Sequence, residues 1–318
     1  MKTQEEFQSF YDIKILPVLN ELEKERKKRI WDIYIGRIIR IVCFIISIAV
    51  VHYLGWSGIW GIGGGLFIGY VAGSFSYNSA ERRKAWIHDR FKSKVIAKIV
   101  TFIDKNLKYS DRGSIAEEEF AESKLFLKRI DNYFGEDMVT GSLGKTTVRF
   151  CEIFVFSNVQ KGVNTENDYS IFRDIATKNF RGIFFIADFN KCFKGKTFVL
   201  PENASKATGY ELVKLEDPEF QKLFKVYSTN QVESRYILSP SLMQKIIGLK
   251  KKFNETLRFS FVNSKVFIAI SSKDDLFEPP MNSSICDNRL IKSYFNCLNF
   301  MVGIVEELDL NTRIWTKE

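Results

Sequence analysis

Residues 140–150, TGSLGKTTVRF, contain Gly144-Lys145-Thr146, the ending of a phosphate-binding loop. A loop of that kind needs another glycine five positions before Gly144, and it joins a strand to a helix. The required position is Val139, and the residues after Thr146 are β-branched and aromatic, which indicates a strand. We therefore interpret this segment as a turn that leads into a strand.

Three lysines follow a strand-like segment in FFIADFNKCFKGK: Lys191, Lys194 and Lys196. Lysines grouped in a loop can bind a phosphate or an anionic lipid, which makes these three the candidate anion or lipid site. Lysines in a turn between two strands are also commonly solvated without binding anything. The sequence leaves both interpretations open.

Residues with catalytic potential lack the partners that they would need. The only histidines are His52 and His88, so Cys192 has no histidine in the C-terminal two-thirds with which to form a Cys–His nucleophile. Asp217, directly before Pro218, is explained as a helix cap. Five scattered cysteines indicate a reducing compartment. No catalytic, cofactor-binding or metal-binding residue is predicted, and an enzyme is the less favoured class.

The positive charge is concentrated around one hydrophobic segment. The net charge is +9, and residues 1–109 hold 18 Lys/Arg against 10 Asp/Glu, which is +8 of that total. A nucleic-acid-binding domain would carry the excess as a patch on its folded surface. This distribution favours a membrane protein that contacts anionic lipids and does not bind nucleic acid.

Residues 41–77 predict a transmembrane helical hairpin. Ile41–Ser57 and Gly58–Tyr77 contain no ionised residue, and basic residues flank both ends but not the connecting turn. The distribution of positive charges places both termini in the cytoplasm. The predicted localisation is therefore a two-pass protein of the inner (cytoplasmic) membrane.

The second predicted span has a glycine at every fourth position. These glycines fall on one helix face and would allow another helix to approach closely. The partner is either the first span of the same hairpin, which we favour, or a second copy in a homo-oligomer. The membrane-helix packing residues are Gly61, Gly65, Gly69 and Gly73.

Helical periodicity continues on both sides of the hairpin. A stripe from Phe7 to Leu22 predicts a cytoplasmic juxtamembrane helix within residues 1–40, with Pro17 expected to kink or divide it. A second stripe begins at Phe91, and a third helix is predicted from Ile115 to Phe134 on a heptad-like spacing. Residues 78–137 are expected to form a helical stalk, or else to pack on the C-terminal domain.

Residues 138–318 predict a cytoplasmic α+β domain of mainly antiparallel sheet with flanking helices. Two segments in which apolar and polar residues alternate, one before and one after Asn263-Ser264, indicate a hairpin. Ser239 before Pro240 and Asp217 before Pro218 indicate helix starts. The strand-like segments are TTVRFCEIFVF, RGIFFIADF, KTFVL and YELVKL, and a last helix is expected from about residue 289 to 308.

Long segments of this domain resemble the bacterial domain of unknown function 3137 family, DUF3137. They are FRGIFFIADFNKCFKGKTFVLPE, VKLEDPEFQKLFKVYSTNQVESRYILSPSLM, VFIAI…LFEPP and LNTRIW. The resemblance covers roughly residues 140–318. It implies a membrane-anchored bacterial protein with a cytoplasmic domain and a LemA-type membrane protein as a partner. It brings no catalytic residues.

Two functions are consistent with these observations. The first is a membrane-anchored, non-enzymatic adaptor or scaffold whose cytoplasmic domain binds a protein partner. The alternative is a tethered domain that senses a ligand or an anionic lipid, or an enzyme of unrecognised type. No cofactor is expected.

Overall fold

A computed structural model describes residues 1–53, 85–126, 130–157, 177–189, 191–204, 207, 209–252, 255–272, 275–280 and 283–311. The chain forms two compact units. Unit 1 contains Met1–Thr3, Ile96–Phe277 and Ser293–Glu318, and unit 2 contains Gln4–Val95 and Glu278–Lys292.

Helices dominate unit 2. Helix α1 spans Gln4–Phe10, a π-helical turn spans Tyr11–Ile15, and α2 spans Leu16–Tyr53. Residues 85–91 form α3, which continues into a second π-helical turn at Lys92–Ile96. The predicted N-terminal stripe is confirmed, because all of its members are buried: Phe7, Tyr11, Ile15, Leu19 and Leu22.

Pro17 lies at the second position of α2, directly after the first π-helical turn. Proline has no backbone N–H and cannot donate the bond that a regular helix requires at that position. A wider π-helical turn accommodates such a break without ending the helix. The helical backbone runs from α1 through the π-helical turn into α2 without a break, so Pro17 does not divide it.

The predicted localisation in the inner membrane as a two-pass protein is contradicted. Among the described residues, no helix combines the length and the apolar character that crossing a membrane requires. The apolar part of α2 that the structure describes, Ile41–Tyr53, measures only about 20 Å at 1.5 Å per residue. A bilayer needs about 30 Å.

The second predicted span and its glycine ridge fall outside the described residues: Gly61, Gly65, Gly69 and Gly73. In α2, several large apolar side chains are exposed: Trp31, Tyr34, Ile35, Ile38, Ile41, Val42, Phe44, Ile45, Ile46 and Tyr53.

A sheet of nine strands forms the centre of unit 1. Its strand order is β1-β2-β3-β4-β9-β8-β5-β7-β6, and every pair of neighbours is antiparallel. The predicted α+β class with mainly antiparallel sheet is confirmed. The strands are β1 Leu107–Ser110, β2 Asn132–Leu143, β3 Thr146–Ser157, β4 Thr177–Asp188, β5 Thr197–Pro201, β6 Glu211–Val213, β7 Phe224–Ser228, β8 Leu257–Val262 and β9 Lys265–Ser271.

Six helices among the described residues accompany this sheet. They are α4 Ala97–Ile103, α5 Glu117–Glu122, α6 Pro218–Leu223, α7 Gln231–Ile237, α8 Pro240–Lys252 and α9 Asn288–Glu307, whose first residues belong to unit 2. The predicted cap of α6 is confirmed, since the Asp217 side chain accepts from the N–H groups of Glu219 and Phe220.

One face of the sheet carries an aromatic core. Phe184 on β4 lies 4.8 Å from Phe120 on α5, between ring centroids, and both rings are buried. Alternate residues of β3 point to the same core: Cys151, Ile153 and Val155. This alternation is the two-residue period of a strand that is buried on that face.

The predicted helix from Ile115 to Phe134 is wrong in most of its length. Helix α5 ends at Glu122, Lys124 adopts a left-handed backbone with φ of 54°, and β2 begins at Asn132. Phe134 pairs with Phe154 across the β2–β3 ladder, so it belongs to a strand. Of the residues in the heptad-like spacing, Phe120 on α5 lies in the sheet core and Ile130 packs against it from the segment before β2. The expected stalk, residues 78–137, therefore includes β1 and the start of β2.

Gly144 and Lys145 form the turn between β2 and β3, as predicted, with φ of 62° at Gly144. The side chain of Asn311 fixes this turn. Its Oδ1 accepts from the Lys145 N–H at 3.1 Å and from the Thr146 hydroxyl at 2.8 Å.

Candidate interaction surface

The short helix α7 begins at a well-formed cap. The Oδ1 atom of Asn230 accepts from the N–H groups of Val232 at 3.0 Å and Glu233 at 3.2 Å, as an asparagine cap does. Ser234 and Ile237 are buried on the inner side of the helix. Val232 and Tyr236, one turn apart, are left on the outer side.

A loop beside α7 carries the three predicted lysines, and its backbone binds a carboxylate of the same chain. The N–H of Gly195 donates to Glu233 Oε2 at 2.6 Å, and the N–H of Lys194 donates to Oε1 at 3.2 Å. A Cβ at position 195 would lie 2.4 Å from that Oε2 atom, so the approach depends on glycine. Two neighbouring N–H groups on one carboxylate form an anion-binding nest.

The Lys191 ammonium is also bound within the molecule. Its Nζ atom donates to the Tyr236 carbonyl at 2.5 Å, at the end of α7, and lies 4.5 Å from the centre of the Tyr236 ring. A cation at a helix C-terminus neutralises the carbonyl charge there. Burial lowers the pKa of Lys191. By contrast, Lys194 is exposed and Lys196 is half-buried.

On its other side, α7 contacts β6, the last strand of the sheet. Gln231 donates from Nε2 to Glu211 Oε2 at 3.1 Å, and Arg235 donates from Nη2 to the Lys214 carbonyl at 3.4 Å. Within the described residues β6 pairs on one side only, with β7. The side chain of Leu212, in the middle of β6, is half exposed.

These contacts join α7 to the loop on one side and to β6 on the other, and we name the exposed part of these elements the α7 surface. Val232 and Tyr236 are its exposed apolar side chains on α7, and Leu212 is exposed on β6, on the face opposite to Glu211. The same segments, with the residue that follows β6, contain four basic residues: Lys191, Lys194, Lys214 and Arg235.

Residues 178–310 match a protein-family model described as "Protein of unknown function (DUF3137)". We call these residues the DUF3137 segment, after the model that they match. The resemblance predicted from the sequence is thereby confirmed over these residues. The whole α7 surface lies inside the DUF3137 segment, whereas β1, β2 and β3 precede it.

A comparison with solved structures gives a match to a crystal structure described as the mycobacterial trehalose monomycolate transport factor A, TtfA. The TM-score is 0.34 and the sequence identity is 9%, with 68% of this chain and 94% of that chain covered. Similarity at this level carries no functional conclusion. A comparison with curated protein sequences gives no match.

The sequence drew attention to the lysines of the DUF3137 segment but not to the residues that join them to the surface. No helix was predicted at α7, so Val232 was given no role, Tyr236 was expected to have only a structural one, and Leu212 was predicted only as part of the strand YELVKL. A signal for the helix was present, since Asn230 precedes Glu233 by three residues, the spacing of a capping box. In the structure the Glu233 side chain binds the neighbouring loop.

A second polar cluster lies at the beginning of the DUF3137 segment, where β3 meets β4. Glu152 and Arg181 are both buried, and Arg181 Nε lies 3.7 Å from Glu152 Oε1. Arg181 also pairs with Asp275, and Glu152 Oε2 accepts from the Leu276 N–H at 3.0 Å. Together these bonds hold the segment that follows β9.

Burial raises the pKa of Glu152 from 4.5 to about 7, although the Leu276 N–H and Arg181 act in the opposite direction. Two further carboxylates on β2, Glu136 and Asp137, add to the increase. The Cys151 thiol on β3 is buried, and burial raises its pKa to about 12. A thiol with this pKa stays protonated at neutral pH and is a poor nucleophile.

Proposed function

We propose that this protein is a non-enzymatic adaptor or scaffold that binds a protein partner through its α7 surface. One observation supports this above all others: three large apolar side chains are exposed on adjoining elements. Leu212 is 49% exposed, Val232 78% and Tyr236 45%. Covering such side chains stabilises a complex by about 25 cal/mol for each Å² of apolar area removed from water.

The composition of the surface also fits a protein interface. Tyrosine and arginine are enriched among the residues that contribute most to binding, and both Tyr236 and Arg235 lie here. The bond from Lys191 in the loop fixes the C-terminal end of α7, and the bond from Gln231 to Glu211 on β6 fixes its N-terminal end. A surface that is already ordered loses little conformational entropy on binding.

Sensing of an anionic ligand or lipid by the lysine loop has less support. The loop N–H groups that would bind an anion donate to Glu233, and Lys191 donates to a backbone carbonyl. An incoming anion would have to displace a carboxylate that is held by two charge-assisted hydrogen bonds.

The proposal is tested with Val232→Asp in the full chain, expressed with an affinity tag in its native cells. Ile13→Asp is the matched control, because Ile13 is an aliphatic side chain in a helical segment of unit 2 and is 67% exposed. We expect at least one specific partner to be recovered about tenfold less with Val232→Asp than with Ile13→Asp. An aspartate at an apolar contact loses its hydration without gaining a partner.

Recovery of every specific partner at equal levels from the two variants would contradict the proposal. A LemA-type protein, the partner that the family resemblance implies, is the first to look for among the recovered proteins.

A further inference from the structure

Arg258 is a half-buried arginine near the start of β8, a strand that pairs with β9 on one side and with β5 on the other. Side chains alternate between the two faces of a strand, so Arg258 shares a face with Ser260 and Val262. Val262 belongs to the aromatic core, and the Ser260 hydroxyl donates to the Ser123 carbonyl at 2.6 Å, directly after α5. The arginine therefore extends over the core face of the sheet.

The guanidinium of Arg258 lies among apolar groups. Its Cζ atom is 5.2 Å from the centre of the Phe126 ring, and its ladder partner on β9 is Ala269. Across the part of the chain that the structure describes, no oxygen atom forms a hydrogen bond or an ion pair with this guanidinium. Burial lowers the pKa of Arg258, yet a guanidinium keeps its charge in a protein. A full positive charge is thus partly removed from water, with a contact to an aromatic ring as its compensation.

The charged side chains of the nearby strands are already paired with one another. Lys265, at the far end of β9, lies 3.9 Å from Glu122, between Nζ and Oε2. Lys225, on β7, lies 3.0 Å from Glu202, between Nζ and Oε1. Strand β5 contains no charged residue. The positive charge of Arg258 is therefore not balanced by these strands.

The other enclosed arginines of the chain meet carboxylates. Among the described residues, four arginines are buried or half-buried, and three of them form ion pairs: Arg26 with Glu23, Arg149 with Glu119, and Arg181 with Glu152. Arg258 is the fourth. Because enclosed charges in proteins are normally paired, its missing partner indicates one that comes from outside the chain.

A carboxylate suits this position better than a phosphate. The N–H groups of a guanidinium form two parallel bonds with the two oxygens of a carboxylate. One carboxylate cancels the one positive charge, whereas a phosphate dianion would leave a negative charge beside the aromatic core, where charge is poorly solvated. Phe126 is itself half-buried, so part of its ring is accessible to an apolar group.

We propose that Arg258 binds the carboxylate group of a ligand whose apolar part lies against Phe126. The ring of Phe126 holds the guanidinium by a cation–π contact, and the carboxylate binds to the N–H groups at its exposed edge. Neither residue belongs to the α7 surface, so this site goes beyond the proposed function and is independent of it.

The test titrates the isotopically labelled full chain with sodium benzoate at constant ionic strength and follows the arginine Nε–Hε resonances by NMR. The Arg258 resonance is the one missing from the spectrum of Arg258→Lys. We expect it to shift and to saturate as benzoate passes about 10 mM, as for a site with one charge-assisted pair. Arg149 is the matched control, because its guanidinium already donates to Glu119 at 2.8 and 2.6 Å and its resonance should stay in place.

A thermal shift assay measures the same binding in variants. Benzoate at about ten times its dissociation constant should raise the melting temperature of the unmodified chain by about 3 °C. It should raise that of Arg258→Met by less than about 1 °C, because methionine keeps an apolar contact with Phe126 but has no charge. Arg258→Lys, which keeps the charge and so preserves the fold more closely, should bind benzoate about tenfold more weakly, since an ammonium group cannot form the paired bonds.

Neutral benzamide and inorganic phosphate are titrated in parallel to separate the possible failures. An Arg258 resonance that shifts equally with benzamide would show an apolar contact without anion binding and would overturn the proposal. Saturation by phosphate but not by benzoate would assign the site to phosphate and reject a carboxylate ligand. A resonance that benzoate leaves in place, or that moves no more than that of Arg149, would show that Arg258 binds no carboxylate.

Discussion

The role of each charged residue in this protein depends on which atoms it meets. Lys191, Lys194 and Lys196 look equivalent in the sequence, yet Lys191 stabilises the end of α7 while the side chain of Lys194 is exposed. The Glu233 carboxylate accepts hydrogen bonds from two N–H groups of the loop, and an external anion would need these same N–H groups.

Glu152 gives a prediction about pH at the same scale. Its pKa in the folded protein, about 7, exceeds the ordinary value of 4.5 because the carboxyl is buried. A group whose pKa is raised in the folded protein stabilises that state fully at a pH below its ordinary pKa. This stabilisation is lost as the pH rises through the pKa that the group has in the folded protein. The neutral glutamine of Glu152→Gln has no such loss. We expect the variant to gain stability relative to the unmodified chain, by roughly 2–3 kcal/mol, between about pH 5 and pH 8.

Urea unfolding at a series of pH values measures this difference. Glu119→Gln is the control, because the bond from Arg149 lowers the pKa of Glu119, so its contribution falls only at more acidic pH. A stability difference for Glu152→Gln that stays constant across this range would contradict the raised pKa.

At the scale of elements, the β8–β9 hairpin has the two strands that the sequence predicts, but the residues of its turn are not those that such a turn favours. Asn263 and Ser264 both adopt left-handed backbones, with φ of 52° and 55°. Two central residues of positive φ make a type I′ turn, which strongly favours glycine at the second position. Serine accepts this conformation at an energetic cost, since its Cβ crowds the backbone.

Ser264→Gly should therefore raise the free energy of unfolding by about 1 kcal/mol. Ser142→Gly is the control, because Ser142 lies within β2, where glycine weakens a strand. Thermal unfolding of the two variants should show melting temperatures that move in opposite directions. A decrease with Ser264→Gly would mean that the serine side chain stabilises the turn.

At the scale of the whole molecule, the sheet extends beyond the segment that matches the family model. The DUF3137 segment starts at residue 178, inside β4, and β4 pairs with β3 along nearly its whole length. Without β3, a central strand rich in buried phenylalanine and isoleucine becomes an exposed edge. Exposed apolar edges pair with other chains.

We therefore expect a fragment of residues 178–310 to aggregate when it is produced alone. A longer fragment, residues 105–310, restores β1, β2 and β3 and serves as the matched comparison. Size-exclusion chromatography and far-UV circular dichroism measure the outcome. A monomeric 178–310 fragment that unfolds cooperatively would show that the first three strands are dispensable.

Local chemistry was sufficient to predict many elements of this protein from its sequence. The Asp217 cap, the buried stripe from Phe7 to Leu22, the hairpin around Asn263-Ser264 and the turn at Gly144 are all confirmed. Each depends on residues within a few positions of one another, because capping bonds and side-chain periodicity are local. The same reasoning failed between Ile115 and Phe134, where strand pairing with β3 overrides a helix-like spacing.

The α7 surface depended on contacts that no local pattern contains. Glu233 meets the N–H groups of Lys194 and Gly195 across 39 and 38 positions of sequence, and Lys191 meets the Tyr236 carbonyl across 45. The sequence by itself determined the residue types, the net positive charge and the local elements. Only the tertiary structure decided which charges are used internally and which apolar side chains stay exposed, because burial and pairing are properties of distant segments brought together by the sheet.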